Sequence, residues 1–392
     1  MELRAGVGFS SHPDTRKAAH EAVQLALREA GVAGVPKGWV LCFFSMAHLP
    51  RADELREILL AQTGCEALCG CSAHGLVAGA REVENAIGLA VMVCTGGGMD
   101  ALSTLLPGDG EGLNALALAP GSGGGKELLL ALPDAYRADA RTVLTRLHER
   151  WPELPVYGAG STDNGTTGTS LQLGMEGVRS SSVAALRLSG PLQVEVGITQ
   201  SCHPVGDPHF VTAAKDNILL ELDGRPALHV LIGQGKALQL ESFQQLIEEV
   251  MLGFPLDSVQ PRFDSESCLV RHVLGFDQAT GGIVVPDRLD GQKSMIFMHR
   301  NAEQAERDMQ RMTGALRARL EGTPDFGIYF DCAARGRNLY GRQGVDTAVI
   351  RAQLGAFPLI GMFGGFELAT TRGLPMLYTY TGVLILVRRL TA

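Results

Sequence analysis

Apolar residues along this chain follow two alternating periods. Short apolar runs of strand length are separated by stretches in which apolar side chains recur every three or four positions, the period of a helix. Residues 5–10 read as a strand. Residues 15–30 read as a helix with Ala18, Ala19, Ala22, Val23, Leu25, Ala26 and Leu27 at helical spacing, capped by Ser10, Ser11 or Asp14 and stopped at Gly31. A β-rich run at 39–45, a helix at 52–63 carrying Leu55, Ile58, Leu59 and Leu60, an apolar run at 65–76 and a returning strand at 86–94 follow. Residues 107–125, rich in Gly, Pro and Ala, read as a loop, with Gly121-Ser122-Gly123-Gly124-Gly125 near its end. Further strands are expected at 126–133, 154–161, 181–188 and 192–199, with a helix at 138–149 and an Asn164-Gly165 turn.

In the second half, 202–206 reads as a bend, and 215–224 alternates around Ile218, Leu220 and Leu222 before turning at Asp223-Gly224. A helix is expected at 242–252 with Phe243, Leu246, Ile247 and Val250 on one stripe. Strands at 269–276, 282–285 and 295–299, a long helix at 302–320, a strand at 327–330 and a helix at 347–354 complete the reading.

One phrase occurs three times. An apolar strand ends in small residues, turns, and is followed by a returning strand: Cys69-Gly70-Cys71-Ser72-Ala73-His74-Gly75, Tyr157-Gly158-Ala159-Gly160-Ser161-Thr162-Asp163, and Ile360-Gly361-Met362-Phe363-Gly364-Gly365-Phe366-Glu367. Glycine at such a point marks a tight turn or a close backbone approach. The unit strand–helix–glycine-ended strand–returning strand is visible at 39–94, 127–188 and 326–387. Returning strands that follow without a crossover helix pair antiparallel. The fold class expected is therefore α/β or α+β, with large mixed or antiparallel sheets flanked by helices and built from duplicated units. Only the small residues recur among the three copies, which favours the wall of a small-ligand pocket over a reactive cluster.

Composition narrows the function classes. The chain has 392 residues, 45% of them hydrophobic, and a net charge of −8. Its 34 Lys and Arg residues are spread thinly, which argues against a nucleic-acid partner. No run of about 20 apolar residues marks a membrane span, and the first residues carry no basic and apolar leader pattern. Eight unevenly spaced cysteines do not resemble a disulfide framework, so a reducing, cytoplasmic setting is expected.

Cys65, Cys69, Cys71 and His74 lie close in sequence but lack a second CysxxCys pair, so core packing is preferred to zinc. Ser72 and Ser161 sit at glycine-rich strand ends without a visible base. A hydroxyl bonded to backbone is the preferred reading, and a Ser, Thr or Cys nucleophile of a hydrolase the alternative. The stretch 121–126 fails as a phosphate loop, because Pro120 replaces its first glycine and Glu127 follows Lys126. Arg335 offers a fork for a carboxylate and Glu367 a partner for an amine, which together suit an amino-acid-like ligand; a surface Arg paired with a nearby acid weighs equally. His203, His209 and His74 rank first as haem ligands beside the ordinary structural role of any single His, and Thr212 and Asn217 line a pocket or close a turn.

Several segments together resemble the FIST family, a bacterial sensory module also found in F-box proteins. The likeness runs through 70–75, 157–163, 203–206, 221–228, 330–337, 358–369 and the final strand. Gly364-Gly365-Phe366-Glu367 departs from the family's usual spacing of paired glycines and acid. The resemblance implies an N-type module at 1–205 and a C-type module at 206–392. It also implies a small-molecule sensing role without catalysis and, for some members, haem-based nitric oxide sensing coupled to a separate histidine kinase. The ligand-binding set expected is Ser72, His74, Gly160, Ser161, Arg335, Gly361, Gly364 and Glu367, with His203 and His209 as haem candidates and no other cofactor named.

Overall fold

A computed structural model describes the chain except residues 1, 35–37, 117–124, 164, 278 and 391–392, so the glycine-rich stretch at 121–124 and Asn164 lie outside the described residues. Packing divides the chain into two compact units, Met1–Ile198 with Met309–Ala392, and Thr199–Asp308. The expected halves, 1–205 and 206–392, are divisions along the sequence; the units are divisions by packing, and the larger one draws on both ends of the chain.

The larger unit holds three six-stranded sheets with one plan. In each, a first strand (Trp39–Phe44, Lys126–Pro133 or Phe326–Cys332) pairs parallel with a glycine-ended strand (Ala67–Ser72, Val156–Ala159 or Leu359–Gly364). On its other side it pairs antiparallel with a returning strand (Leu89–Thr95, Ser182–Gly190 or Thr381–Arg389). An outer strand (Arg4–Ser10, Asp100–Pro107 or Leu192–Gln200) lies beyond the returning strand. The fold is thus α+β with mixed sheets, and the three units expected at 39–94, 127–188 and 326–387 are three copies of one arrangement.

The sixfold count is completed by exchange. The hairpin that follows each glycine-ended strand joins the sheet of another repeat. Gly75–Ala78 with Arg81–Glu84 extends the third sheet, Gln172–Gly174 with Gly177–Arg179 the first, and Glu367–Thr371 with Leu374–Tyr378 the second. The registers are equivalent. Gly70, Gly158 and Gly361 stand beside Cys42, Ala131 and Tyr329 on one side and beside Leu173, Leu368 and Val77 on the other. A Cβ on any of the three would come within 2.3 Å, 1.8 Å or 2.0 Å of the carbonyl oxygen of Cys42, Ala131 or Tyr329. Glycine is therefore required there by space.

Alternation along the first strands separates two cores. Val40, Cys42 and Phe44 pack on the helices Thr15–Glu29 and Ala52–Thr63, and Leu129 and Ala131 pack on Ala140–Arg150. Tyr329 packs on Ala302–Arg319 and Val345–Leu354. The intervening residues form the opposite faces, where Trp39 meets Phe326 edge-on at 5.4 Å and Phe43 meets Phe330 at 6.3 Å. These aromatic pairs occupy equivalent positions in repeats one and three; Leu128 and Leu132 stand at those positions in repeat two, and all six are buried. Each such side chain contributes about 1.5–3 kcal/mol by leaving water.

The unit Thr199–Asp308 is a single curved sheet around a core of Leu219, Leu231, Leu246, Leu252 and Phe297. Two expectations change here. Residues 202–206 are not a bend but the start of the 14-residue strand Cys202–Lys215, which pairs with two neighbours and shifts register between Val205 and His209. The turn-forming Pro204 and Gly206 mark that irregularity. The helix expected at 242–252 covers only Phe243–Glu249, and Val250–Pro255 is a strand. Val250 completes the helical stripe by period, but Val250, Met251 and Leu252 pair with His299, Met298 and Phe297, and ladder pairing decides.

Substitution at glycine separates the two meanings of that residue. Gly361→Ala places a methyl against the Tyr329 carbonyl and should cost about 1–3 kcal/mol or more. Gly314→Ala, in the helix Ala302–Arg319 with open space around it, should stabilise by about 0.5–1 kcal/mol. Thermal unfolding of the two variants checks both signs.

Candidate functional site

The three glycine-ended strands stop against one another. Ser161 Oγ donates to the Ser72 carbonyl at 2.7 Å, joining repeats one and two. The Gly160 N–H donates to the Phe366 carbonyl at 2.9 Å and the Gly365 N–H to the Gly160 carbonyl at 3.0 Å, joining two and three. Cys71 Sγ lies 3.4 Å from Met362 Sδ, joining three and one. Gly364 has no room for a Cβ, which would stand 2.7 Å from that of Ala159.

Ser72, Gly160, Ser161 and Gly364 thus meet as packing, while Gly361 sits within its ladder between Tyr329 and Val77 and Glu367 stands beside Ala159; all six are buried. Ser72 Oγ accepts from the Leu171 N–H at 3.0 Å, so both serine hydroxyls serve backbone. Neither is in contact with solvent, and the geometry lends no support to a nucleophile at either.

His74 differs. It is half-buried at the end of this junction and lines a cavity of about 200 Å3 with Ser45, Met46, Ala47, Ala73, Asn85, Ala86 and Ile87. Burial pushes its pKa down, opposed by a hydrogen bond with the backbone of Asp163 and by the charge of that residue. Its Nε2 is buried with no hydrogen-bond partner. Nδ1 is therefore the atom facing Asp163, and a neutral ring donating there leaves Nε2 as an acceptor.

Asp163 organises the neighbouring loop. Its carboxylate accepts from the Gly165, Thr167 and Gly168 N–H groups at 2.8, 2.6 and 3.0 Å, from Thr167 Oγ1 at 2.8 Å, and from the Tyr136 hydroxyl. Burial pushes its carboxyl up, but the bonds from Tyr136 and Thr167 outweigh this and hold it well below the usual range.

A charged network lies behind the third repeat. Arg335, wholly buried, pairs with Asp331 at 2.8 Å and Asp346 at 2.8 Å and reaches the Tyr340 hydroxyl at 2.9 Å. The fork expected to meet a ligand carboxylate therefore holds two carboxylates of the chain itself. Tyr329 donates to Asp346 at 2.8 Å. The strand Arg81–Glu84 adds two more acids. Glu82 accepts from the Gly344 and Thr347 N–H groups, both at 2.7 Å, and so caps Val345–Leu354; Glu84 accepts from the Arg337 N–H at 2.9 Å. Asp331 and Asp346 thus meet the buried guanidinium directly, and Glu82, Glu84 and Glu367 are buried acids bonded to other partners.

Burial opposes the charged form of two of these acids. Burial, then the charge of Asp346, pushes Asp331 well above the usual carboxyl range. Burial pushes Glu367 up to about 8, against hydrogen bonds from Thr381. The repeats explain how Glu367 is tolerated. Gln172 holds the equivalent place in the second repeat, and its Oε1 accepts from Ser182 Oγ at 3.2 Å, as Glu367 Oε2 accepts from Thr381 Oγ1 at 2.6 Å. Ser182 and Thr381 both open returning strands. The upward shift of Glu367 favours a neutral carboxyl in the place of that amide.

The haem candidates lie in the unit Thr199–Asp308. His203 faces His299 across the ladder. His209 Nδ1 stands 2.6 Å from Asp223 Oδ2, with its ring edge-on to Phe297 at 5.4 Å. Thr212 and Asn217 close turns, accepting from the Gly224 N–H at 2.9 Å and donating to the Val285 carbonyl at 3.0 Å. All eight cysteines are buried free thiols, and burial pushes Cys71 up to about 12. Among the described residues no three His, Cys, Asp or Glu side chains converge as metal ligands. Sequence reasoning missed Asp163, Tyr136, Asp331, Asp346, Glu82 and Glu84 as site-forming residues. Only Asp163 carried a signal, as the end of the second glycine phrase.

Residues 38–225 match the family model of the FIST N domain and residues 234–370 that of the FIST C domain. An uncharacterised protein of Mycobacterium tuberculosis is 30% identical over 387 residues, 98% of this chain and 99% of that protein. Another, of Mycobacterium bovis, is 28% identical over 387 residues, 98% of each. A cyanuric acid hydrolase crystal structure from A. caulinodans aligns over 100% of both chains at 8% identity and a TM-score of 0.35, too slight a likeness to carry an argument.

The Glu367 proton links stability to pH. A carboxyl whose folded pKa is raised from 4.5 to about 8 supports the fold below its ordinary value, and that support is lost as pH rises through about 8. Glu367→Gln should therefore fold and should lose less stability than the parent between about pH 5 and pH 9. Denaturant titrations across that range check it; identical pH slopes would refute the buried proton.

Proposed function

This chain belongs to the FIST family of sensory and signal-transduction modules, and from that premise we propose that it binds a small, amino-acid-like ligand beside His74 and signals through a separate protein partner. The observation that carries the reading is His74, a residue that lines a cavity and whose Nε2 is buried without a hydrogen-bond partner. A buried acceptor without a partner costs about 1–3 kcal/mol, which a ligand N–H donor would recover. A primary ammonium supplies such a donor. A volume of about 200 Å3 suits a ligand of amino-acid size and lies below the range of about 300–1,000 Å3 of larger ligand pockets. Ser45, whose Oγ accepts from the Gly88 N–H at 3.0 Å, and the Asn85 turn at the cavity supply further polar groups.

A second reading, haem ligation coupled to a histidine kinase, draws on His209. Its Nδ1 is held by a carboxylate, as in many metal-bound imidazoles, which leaves Nε2 for an axial bond.

Isothermal calorimetry and thermal shift with a panel of amino acids and small amines test the first reading. At least one compound should release or absorb heat and raise the melting temperature, with the shift lost in His74→Leu. No response across the panel, or a response that survives in His74→Leu, would overturn it. Haemin added to the same protein decides the second reading: a Soret band that disappears in His209→Ala would favour haem.

A further inference from the structure

Charge is divided unevenly between the two units. Thr199–Asp308 holds 9 Lys and Arg against 16 Asp and Glu, a net −7 of the chain's −8; the remainder of the chain holds 25 against 26. The same 110 residues expose Phe210, Phe243, Val259 and Leu274, each between 48% and 85% accessible. Four of the nine exposed large apolar side chains among the described residues thus fall in little more than a quarter of the sequence.

Three apolar side chains of this unit form a patch. The Phe243 ring, at the start of Phe243–Glu249, packs on Phe276 with centroids 5.0 Å apart. Leu274 stands two residues before Phe276, just ahead of the strand Gly275–Asp277, and is exposed, while Phe276 also packs on the core of the unit. Carboxylates border this patch in sequence: Glu241 and Glu248 are exposed on either side of Phe243, and Asp277 follows Phe276. Glu248 and Glu249 close a helix at its C-terminus, where the helix dipole disfavours acids, and Glu249 Oε2 lies 3.1 Å from His299 Nε2. The other exposed apolar groups repeat the association, since Asp223 accepts from the Phe210 N–H at 2.8 Å and Asp257 from the Val259 N–H at 2.8 Å.

Apolar anchors in a strongly acidic unit, with exposed carboxylates near them in sequence, select a partner with the complementary pattern. We infer that Phe243, Leu274 and Phe276 form a docking face for a basic amphipathic segment of another protein. The anchors supply the contact area, and the surrounding carboxylates steer and orient the basic face. This deepens the reading that the chain signals through a separate partner and rests on it, while requiring no small ligand at His74.

The test uses the full chain and three labelled peptides of equal length: an amphipathic helix of Lys and Leu, its Glu and Leu counterpart, and a Lys-rich peptide without Leu. Fluorescence anisotropy is followed without any small ligand, so a failure here is separate from a failure at the cavity. The Lys and Leu peptide should bind best, more weakly as salt rises. Its affinity should fall about tenfold or more in Phe243→Ser with Leu274→Ser, and should be unchanged in Leu374→Ser, an exposed apolar residue of the other unit. Should the double variant melt early, Glu241→Gln with Glu248→Gln decides instead, by a shallower salt dependence. Equal binding of the Glu and Leu peptide, or affinity and salt slope untouched in both variant pairs, would overturn the proposal.

Discussion

Three backbone carbonyls, those of Cys42, Ala131 and Tyr329, stand where the side chains of Gly70, Gly158 and Gly361 would begin. That close approach lets each first strand and its glycine-ended neighbour sit at full ladder contact while a hairpin from another repeat closes the far side. The exchange is cyclic. The first repeat extends the third sheet, the second extends the first and the third extends the second, so no sheet of the larger unit is complete without a neighbour's hairpin. The strand ends, their hydrogen bonds and the buried serines follow from this constraint more than from any chemistry at the serines themselves.

The closure leaves many polar groups buried. Arg335 meets Asp331 and Asp346, Glu82 and Glu84 accept from helix N-termini, and Glu367 accepts from Thr381, although Glu84, Asp331 and Glu367 each keep one buried oxygen without a partner. His74 likewise keeps an unpartnered Nε2, and it lines a cavity. In the proposed reading, His74, bonded to the Asp163 backbone and lining a cavity, is the group whose environment would change when a ligand arrives. The network around Arg335 is then the rigid backing of the third repeat, and a ligand has no route to its guanidinium short of displacing a buried carboxylate.

The sequence displayed the repeat clearly and its connectivity not at all. The glycine phrases and returning strands were legible because period and glycine position are local. Which sheet each hairpin joins was not, since a hairpin's partner leaves no mark on its own alternation. The equivalence of Gln172 and Glu367 was hidden by spacing: Gly70 to Val77 and Gly361 to Leu368 span seven positions, whereas Gly158 to Leu173 spans fifteen, the excess lying in the loop that Asp163 organises. Arg335 illustrates the other limit. The residue type announces a carboxylate, but only the packing shows that Asp331 and Asp346 are that carboxylate. The same holds for 202–206, where Pro204 and Gly206 suggested a bend and a long ladder absorbed them as an irregularity.

Cyclic exchange makes the three repeats of the larger unit one cooperative structure, because opening any hairpin uncovers the edge of another repeat's sheet and frees a glycine-ended strand. Native-state hydrogen exchange on the full chain measures this directly, through the amides of Gly75–Ala78, Gln172–Gly174 and Glu367–Thr371. The account predicts that the ladder-bonded amides of all three hairpins exchange with one common opening free energy, close to that of global unfolding of the unit. A hairpin that opens alone, several kcal/mol below the other two, would contradict it.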